Sequence, residues 1–154
     1  MKASTDKQLI AKNRRAPHLY AIEKTFEAGI VLCGTEVKSC RGGKVQLVDA
    51  YVTVRHGEAY LVAAHIGEYE MGNRFNHEPR RERKLLLHAR EIAEIDAFIQ
   101  KKSMSAVPMS VYLKGGRVKV EIGMGRGKDV RDKRRDIQDR DENRDLARTL
   151  RRHR

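Results

Sequence analysis

Apolar and polar positions alternate along much of this chain with a period of two, and that pattern predicts strands. Residues 18–32, HLYAIEKTFEAGIVL, alternate loosely through Ile22, Phe26, Ala28, Ile30 and Leu32, with Gly34 placed to stop the strand. AYVTV (50–54) and AYLVAA (59–64) flank RHGE, a hairpin signal with Gly57 at its turn. MSVYL (109–113) and RVKVEI (117–122) flank Lys114-Gly115-Gly116, and two adjacent glycines tolerate the positive φ of a tight primed hairpin turn. Val111 and Leu113 are then expected on the same face as Val118, Val120 and Ile122.

The period changes to a helical one at two places. In HAREIAEIDAFIQKK (88–102), Ile92, Ile95 and Ile99 fall on one face with Phe98 beside them, and Glu91 stands where the acid of a capping box belongs. GTEVKSCR (34–41) is a short helix candidate with Thr35 as N-cap, Glu36 in the first turn and Gly42-Gly43 as its end. ERKLLL (82–87) fits a helix or a strand, and a strand buried on both sides and running into the helix at His88 is favoured. Five or six short antiparallel strands with an inserted helix fit a small closed barrel of the OB type, a mainly β fold with short helices.

Composition sharpens the picture. The 154 residues suffice for one domain and an appended segment. The formal net charge of +12 favours a polyanionic partner, nucleic acid ahead of an anionic membrane. No apolar run approaches the roughly 20 residues that span a bilayer, and MKASTDKQLIAKNRRAPHLY lacks the apolar stretch of a signal peptide. A cytoplasmic protein is expected, with Cys33 and Cys40 reduced, since neither CxxC nor a zinc-ligand spacing occurs.

Charge is unevenly placed. Residues 1–20 hold Lys2, Lys7, Lys12, Arg14 and Arg15 against Asp6 alone, and residues 126–154 hold twelve bases against seven acids. The expected division is a core, 1–125, with a basic N-terminal arm, and a charged C-terminal tail, 126–154. In the tail, Asp129–Lys133, Asp136–Arg140, Asp141–Arg144 and Asp145–Arg148 recur at helical spacing, each pair adding about 0.2–0.5 kcal/mol to an isolated helix. Its apolar residues, Val130, Ile137, Leu146 and Leu150, form no continuous stripe. Such a tail is expected to be disordered alone and helical on a bound RNA surface; a solvated segment that aids solubility is the plainer alternative.

Candidate chemistry is sparse. Glu27, Glu36, Asp49, Glu58 and Glu121 show no metal-ligand spacing, and neither GxSxG nor a phosphate-binding P-loop occurs. GMGRGK (123–128) lacks the βαβ context of a dinucleotide loop and is read as a hinge. A metal-dependent nuclease built on Glu27 and Asp49 stays open, although no metal, cofactor or catalytic residue is assigned. Nucleic-acid binding has more support. In NRRAPHLY, Asn13 suits a base edge, Arg14 and Arg15 suit phosphates, and Tyr20 suits stacking on an unstacked base or a place in the core. EVKSCRGGK groups Lys38, Arg41 and Lys44 beside two glycines, so backbone and cations can approach a phosphate together. Arg80, Arg81, Arg83 and Lys84 form a further basic cluster, either functional or an ordinary solvated loop.

FEAGIVLCGTEVKSCRGGK, RERKLLLH and GKDVRDKRRDI, in that order, resemble the SsrA-binding protein (SmpB) family, the bacterial partners of transfer-messenger RNA. The resemblance implies a non-catalytic OB-fold core that binds the tRNA-like domain of that RNA, monomeric on it. It also implies delivery to stalled ribosomes for trans-translation, with a tail that becomes helical in the empty mRNA channel near the decoding region. On this basis Asn13, Tyr20, Glu27, Lys38, Arg41, Lys44 and Leu85 are core RNA-binding candidates, joined by Arg14. Gly127, Lys128, Arg131, Asp132, Lys133, Arg134 and Ile137 are candidates for ribosome contact. Glu27 needs neighbouring cations to offset its charge, with Lys24 and Lys38 expected in that role. Three departures from the family pattern stand out: Asp129 replaces a second lysine, Arg131 replaces a ring, and MGRG stands where LARG or VAKG is usual.

Overall fold

The structure is a computed structural model that describes residues 7–71 and 76–128, together with Arg144 and Arg148, both helical and exposed. In chain order the elements are β1 (Lys7–Lys12), α1 (Ala16–Leu19), β2 (Tyr20–Ile30), α2 (Gly34–Arg41), β3 (Val45–Gln46), β4 (Tyr51–Arg55), β5 (Glu58–Val62), β6 (His65–Ile66), β7 (Arg83–Leu86), α3 (Ala89–Ile99), β8 (Met104–Lys114) and β9 (Arg117–Gly127). Seven strands form one antiparallel sheet in the order β1-β8-β9-β2-β7-β5-β4, and β3 pairs with β6 in a separate ribbon.

The sheet curls until its edge strand β4 packs against β8, and α3 packs against both strands at that seam. The result is the expected small antiparallel barrel, built from more strands than the alternation predicts. Its interior holds Val52, Leu61, Leu85, Val111, Val120, Ile122 and Met124. Helix α3 buries Ile95 completely and sets Ile92, Phe98 and Ile99 against the same core, as its spacing predicts. Each fully buried aliphatic side chain contributes roughly 1.5–3 kcal/mol.

Both predicted hairpins form. His56 and Gly57 have φ of 51° and 75°, and Gly115 and Gly116 have 58° and 77°, the positive values of a primed turn. Val111 pairs with Val120 and Leu113 with Val118. Helix α3 is capped at His88, whose N–H donates to Glu91 Oε1 at 3.0 Å.

The basic N-terminal arm contributes a strand to the sheet: β1 pairs with β8 from Lys7–Lys114 to Lys12–Ser110. Three expectations need correction. Helix α2 is capped at Cys33, whose N–H donates to Glu36 Oε1 at 2.9 Å, while Thr35 bonds His77 instead. Strand β7 is buried on one face, with Leu85 1% and Leu86 54% exposed. GMGRG is the end of β9, paired with β2 through Tyr20–Gly127, and no hinge separates it from the barrel. Gly125 is required there, because a Cβ would meet the Ala21 carbonyl oxygen at 2.5 Å.

Candidate nucleic-acid interface

Glu27 sits on β2 opposite Glu121 of β9, and its neighbours on the barrel face hold its charge. Its Oε2 accepts a short hydrogen bond from the Tyr112 hydroxyl, and Lys114 Nζ lies 3.2 and 3.3 Å from its two oxygens. The Tyr112 hydrogen bond, more than Lys114 and Lys7, lowers the Glu27 pKa against partial burial, while burial first and Glu27 second raise that of Tyr112. The expected cations do not do this work. Lys24 pairs with Glu94, and Lys38 stands 5.2 Å over the Tyr69 ring. A carboxylate offers about four acceptor sites, so Glu27 keeps capacity for a base amino group or a 2′-hydroxyl.

Glu27 and Leu85 line one cleft of about 650 Å³, together with Lys84, Leu86, His88 and Lys119. Leu85 itself faces the core, so Leu86, one residue on, offers the apolar surface that a base could cover. Lys84 is pledged to Glu58 at 3.0 Å.

Asn13 also departs from its expected part. Its Nδ2 donates to the Pro108 carbonyl at 3.0 Å and more weakly to that of Leu47 at 3.4 Å, and its Oδ1 accepts from the Ala16 N–H at 3.2 Å. Its backbone N–H donates to Met109 at 2.8 Å. This buried amide fixes the corner between β1 and α1 at a bulge of β8 and presents no free edge to a base. What it does is hold Arg14 and Arg15 in solvent.

Tyr20, half-buried, lines a second cleft of about 330 Å³ with Asn13, Arg15, Asp49 and Tyr51. Gly127 pairs with Tyr20, and Lys128 is fastened beside it: its N–H donates to Leu19 at 2.8 Å and its Nζ to Pro17 at 2.9 Å. The C-terminal segment therefore leaves the barrel next to this second cleft. The two clefts share no lining residue.

Lys38, Arg41 and Lys44 form a third group, all exposed, around the end of α2. Gly43, with φ 75°, makes the turn, and its N–H donates to Cys40 at 2.9 Å. Arg131, Asp132, Lys133, Arg134 and Ile137 lie outside the described residues, as does Asp129.

The Arg80–Lys84 cluster is largely consumed by the fold. Glu36 is fully buried and receives Arg83 Nε at 2.5 Å and Arg81 Nη2 at 2.5 Å. The Cys33 thiol donates to its Oε1 at 3.0 Å. Burial pushes the Glu36 carboxyl up, but bonds from Arg81, Cys33 and Arg83 outweigh it and hold the pKa down to about 2. Burial and the adjacent Glu36 raise the Cys33 thiol, and burial lifts Cys40 to about 11; both cysteines are free. The alternation Arg83-Leu85 against Lys84-Leu86 was the signal that Arg83 points inward. Among the described residues no three His, Cys, Asp or Glu side chains gather as a metal site, and no helix is long and apolar enough to cross a membrane.

The chain is similar to proteins of one kind over almost all of its length. A curated SsrA-binding protein of Acetivibrio thermocellus is 52% identical over 148 residues, covering 96% of each chain. One from Latilactobacillus sakei is 54% identical over 143 residues, covering 93% of this chain and 92% of its own. A solved structure described as "tmRNA-SmpB: a journey to the center of the bacterial ribosome" superposes with a TM-score of 0.67 at 44% identity, over 78% of this chain and 85% of the other. A model of the SmpB protein family matches residues 10–152, and this chain belongs to that family.

Proposed function

We propose that this protein is a non-enzymatic RNA adaptor that binds the tRNA-like domain of transfer-messenger RNA and delivers it to stalled ribosomes for trans-translation. The observation that carries the reading is the pair of separate clefts on one small barrel, the second at the root of the C-terminal segment. An adaptor needs two such surfaces, one for its RNA cargo and one for its destination. The names of the relatives and of the superposed complex support the same assignment.

In this reading the core, residues 1–125, holds the RNA with Glu27 and its cleft, with Leu86 replacing Leu85 as the apolar contact. Lys38, Arg41 and Lys44 bind phosphates, as does the exposed Arg14, and Tyr20 faces RNA from the other cleft. Asn13 acts by holding Arg14 and Arg15 in place. The tail, 126–154, is rooted on the barrel through Gly127 and Lys128, and its residues beyond Lys128 enter the vacant mRNA channel near the decoding region, with Arg131, Asp132, Lys133, Arg134 and Ile137 in contact with the ribosome. The protein works in the cytoplasm, as a monomer on its RNA, with no cofactor.

Gel shifts of the full chain against transfer-messenger RNA, an ordinary tRNA and an unrelated RNA duplex test this directly. Affinity is expected to be highest for the first and lowest for the duplex. Equal affinity for all three would overturn the assignment, and cleavage of labelled RNA with Mg²⁺ would restore the nuclease.

A further inference from the structure

The 330 Å³ cleft holds four side chains to which the fold gives no work. Arg15, Tyr20, Asp49 and Tyr51 all line it, and none makes a side-chain hydrogen bond, ion pair or ring contact among the described residues. Arg15 and Asp49 have opposite charge and share the cleft, yet they do not pair. Elsewhere on this protein exposed opposite charges find each other, as Lys24 with Glu94 and Lys84 with Glu58 do. Tyr51 is 48% exposed, a large ring left open to solvent. Beneath these groups lies an apolar floor that includes Val52, Ile99 and Val107.

We infer that this cleft takes a single extruded guanine nucleotide of an RNA. The volume lies at the small end of ligand pockets, which suits one nucleotide. Tyr20 and Tyr51 supply rings for stacking on an unstacked base. Arg15 supplies a cation for the phosphate. Asp49 decides the base: an ionised carboxylate only accepts hydrogen bonds, and two oxygens side by side match two adjacent donors. Guanine alone among the four bases carries two such donors, N1–H and the 2-amino group, on its Watson–Crick edge. The inference rests on the proposed RNA-binding role and adds a base identity to it.

The probes are uridine heptamers carrying one central guanosine, inosine or adenosine, titrated against the full chain by fluorescence anisotropy. Guanosine is expected to bind on the order of tenfold tighter than adenosine, the size of a lost hydrogen bond to a charged group. Inosine, which keeps N1–H and lacks the 2-amino group, falls between them. Asp49→Asn should erase the guanosine preference. The backbone there has φ 65°, a left-handed conformation that Asn adopts as readily as Asp, so this variant keeps its fold. Arg15→Gln should weaken all three probes by a similar factor. Equal binding of the three probes to the natural chain, or a preference that survives Asp49→Asn, overturns the guanine pocket. The parallel gel shift with transfer-messenger RNA separates the two failures: if that RNA binds while the heptamers are not discriminated, only the pocket is wrong.

Discussion

Arg83 and Glu36 meet inside the protein, both at 0% exposure, with Nε 2.5 Å from Oε2. The pair ties β7 to α2, and α2 carries Lys38 and Arg41 on its outer side. Two further Arg83 bonds, to Ala64 at 2.8 Å and Pro79 at 3.0 Å, fasten the chain on either side of residues 65–78.

Removing one partner of such a pair leaves a buried charge uncompensated. Arg83→Met is expected to cost about 3 kcal/mol, the low end for a broken buried pair because Arg81 remains beside Glu36. Arg81 is 34% exposed, so Arg81→Met should cost clearly less. The double variant Arg83→Met with Glu36→Gln should recover much of the loss. Urea denaturation measures all three, and an Arg83→Met loss below about 0.5 kcal/mol would refute the ion-pair account.

The same carboxylate sets an acid limit. Glu36 titrates at about 2 in the fold against an ordinary value of 4.5. Its stabilisation is therefore complete above pH 4.5 and disappears as pH falls towards 2, a contribution on the order of 3 kcal/mol. Glu36→Gln should flatten the stability profile across that window. A profile as steep as that of the natural chain would assign acid sensitivity to other groups.

Glu27→Ala should weaken the complex with transfer-messenger RNA by roughly tenfold, the worth of one hydrogen bond to a charged group. The midpoint of thermal unfolding should hardly move, because the side chain lies at the surface, 35% exposed. Unchanged affinity in a gel shift would reduce Glu27 to a partner for Tyr112 and Lys114.

Gly125→Ala should destabilise the barrel by about 1–3 kcal/mol, since the added methyl group meets the Ala21 carbonyl and the β2–β9 ladder must shift. Gly34→Ala is the contrast: nothing lies within 4 Å of that Cβ, and the helix gains from losing a glycine. Calorimetry that ranks the two variants equally would contradict the close approach.

Truncation after Lys128 should leave RNA binding largely intact and abolish tagging on stalled ribosomes. The cut belongs there because β9 runs through Gly127 and Lys128 is bonded to Leu19 and Pro17. A large loss of transfer-messenger RNA affinity in a gel shift would make the segment an RNA anchor instead.

Elements whose signal is local were legible in the sequence. Two Gly-containing turns set two hairpins, and the isoleucine spacing set α3, because φ preference and periodicity act within a few residues. Features that depend on a distant partner were not. Arg81 and Arg83 read as part of a basic patch until Glu36, some 45 residues away, is seen between them. Asn13 reads as a base-reading amide until the Pro108 carbonyl fills its donor. GMGRG reads as a hinge because glycines also suit loops, and only the Ala21 carbonyl shows why Gly125 is needed in a strand. Of the candidate site, the residue types were legible, while their division between two clefts depended on how the sheet curls.

Within strand β9, Lys119 stands on the rim of the Glu27 cleft and Gly127 stands where the C-terminal segment begins. Eight residue steps at roughly 3.3 Å give a span of about 26 Å. Hydrogen bonds to strands on both sides fix that span, so it behaves as a gauge block. The barrel thereby sets the separation between the Glu27 cleft and the point at Lys128 where the C-terminal segment departs.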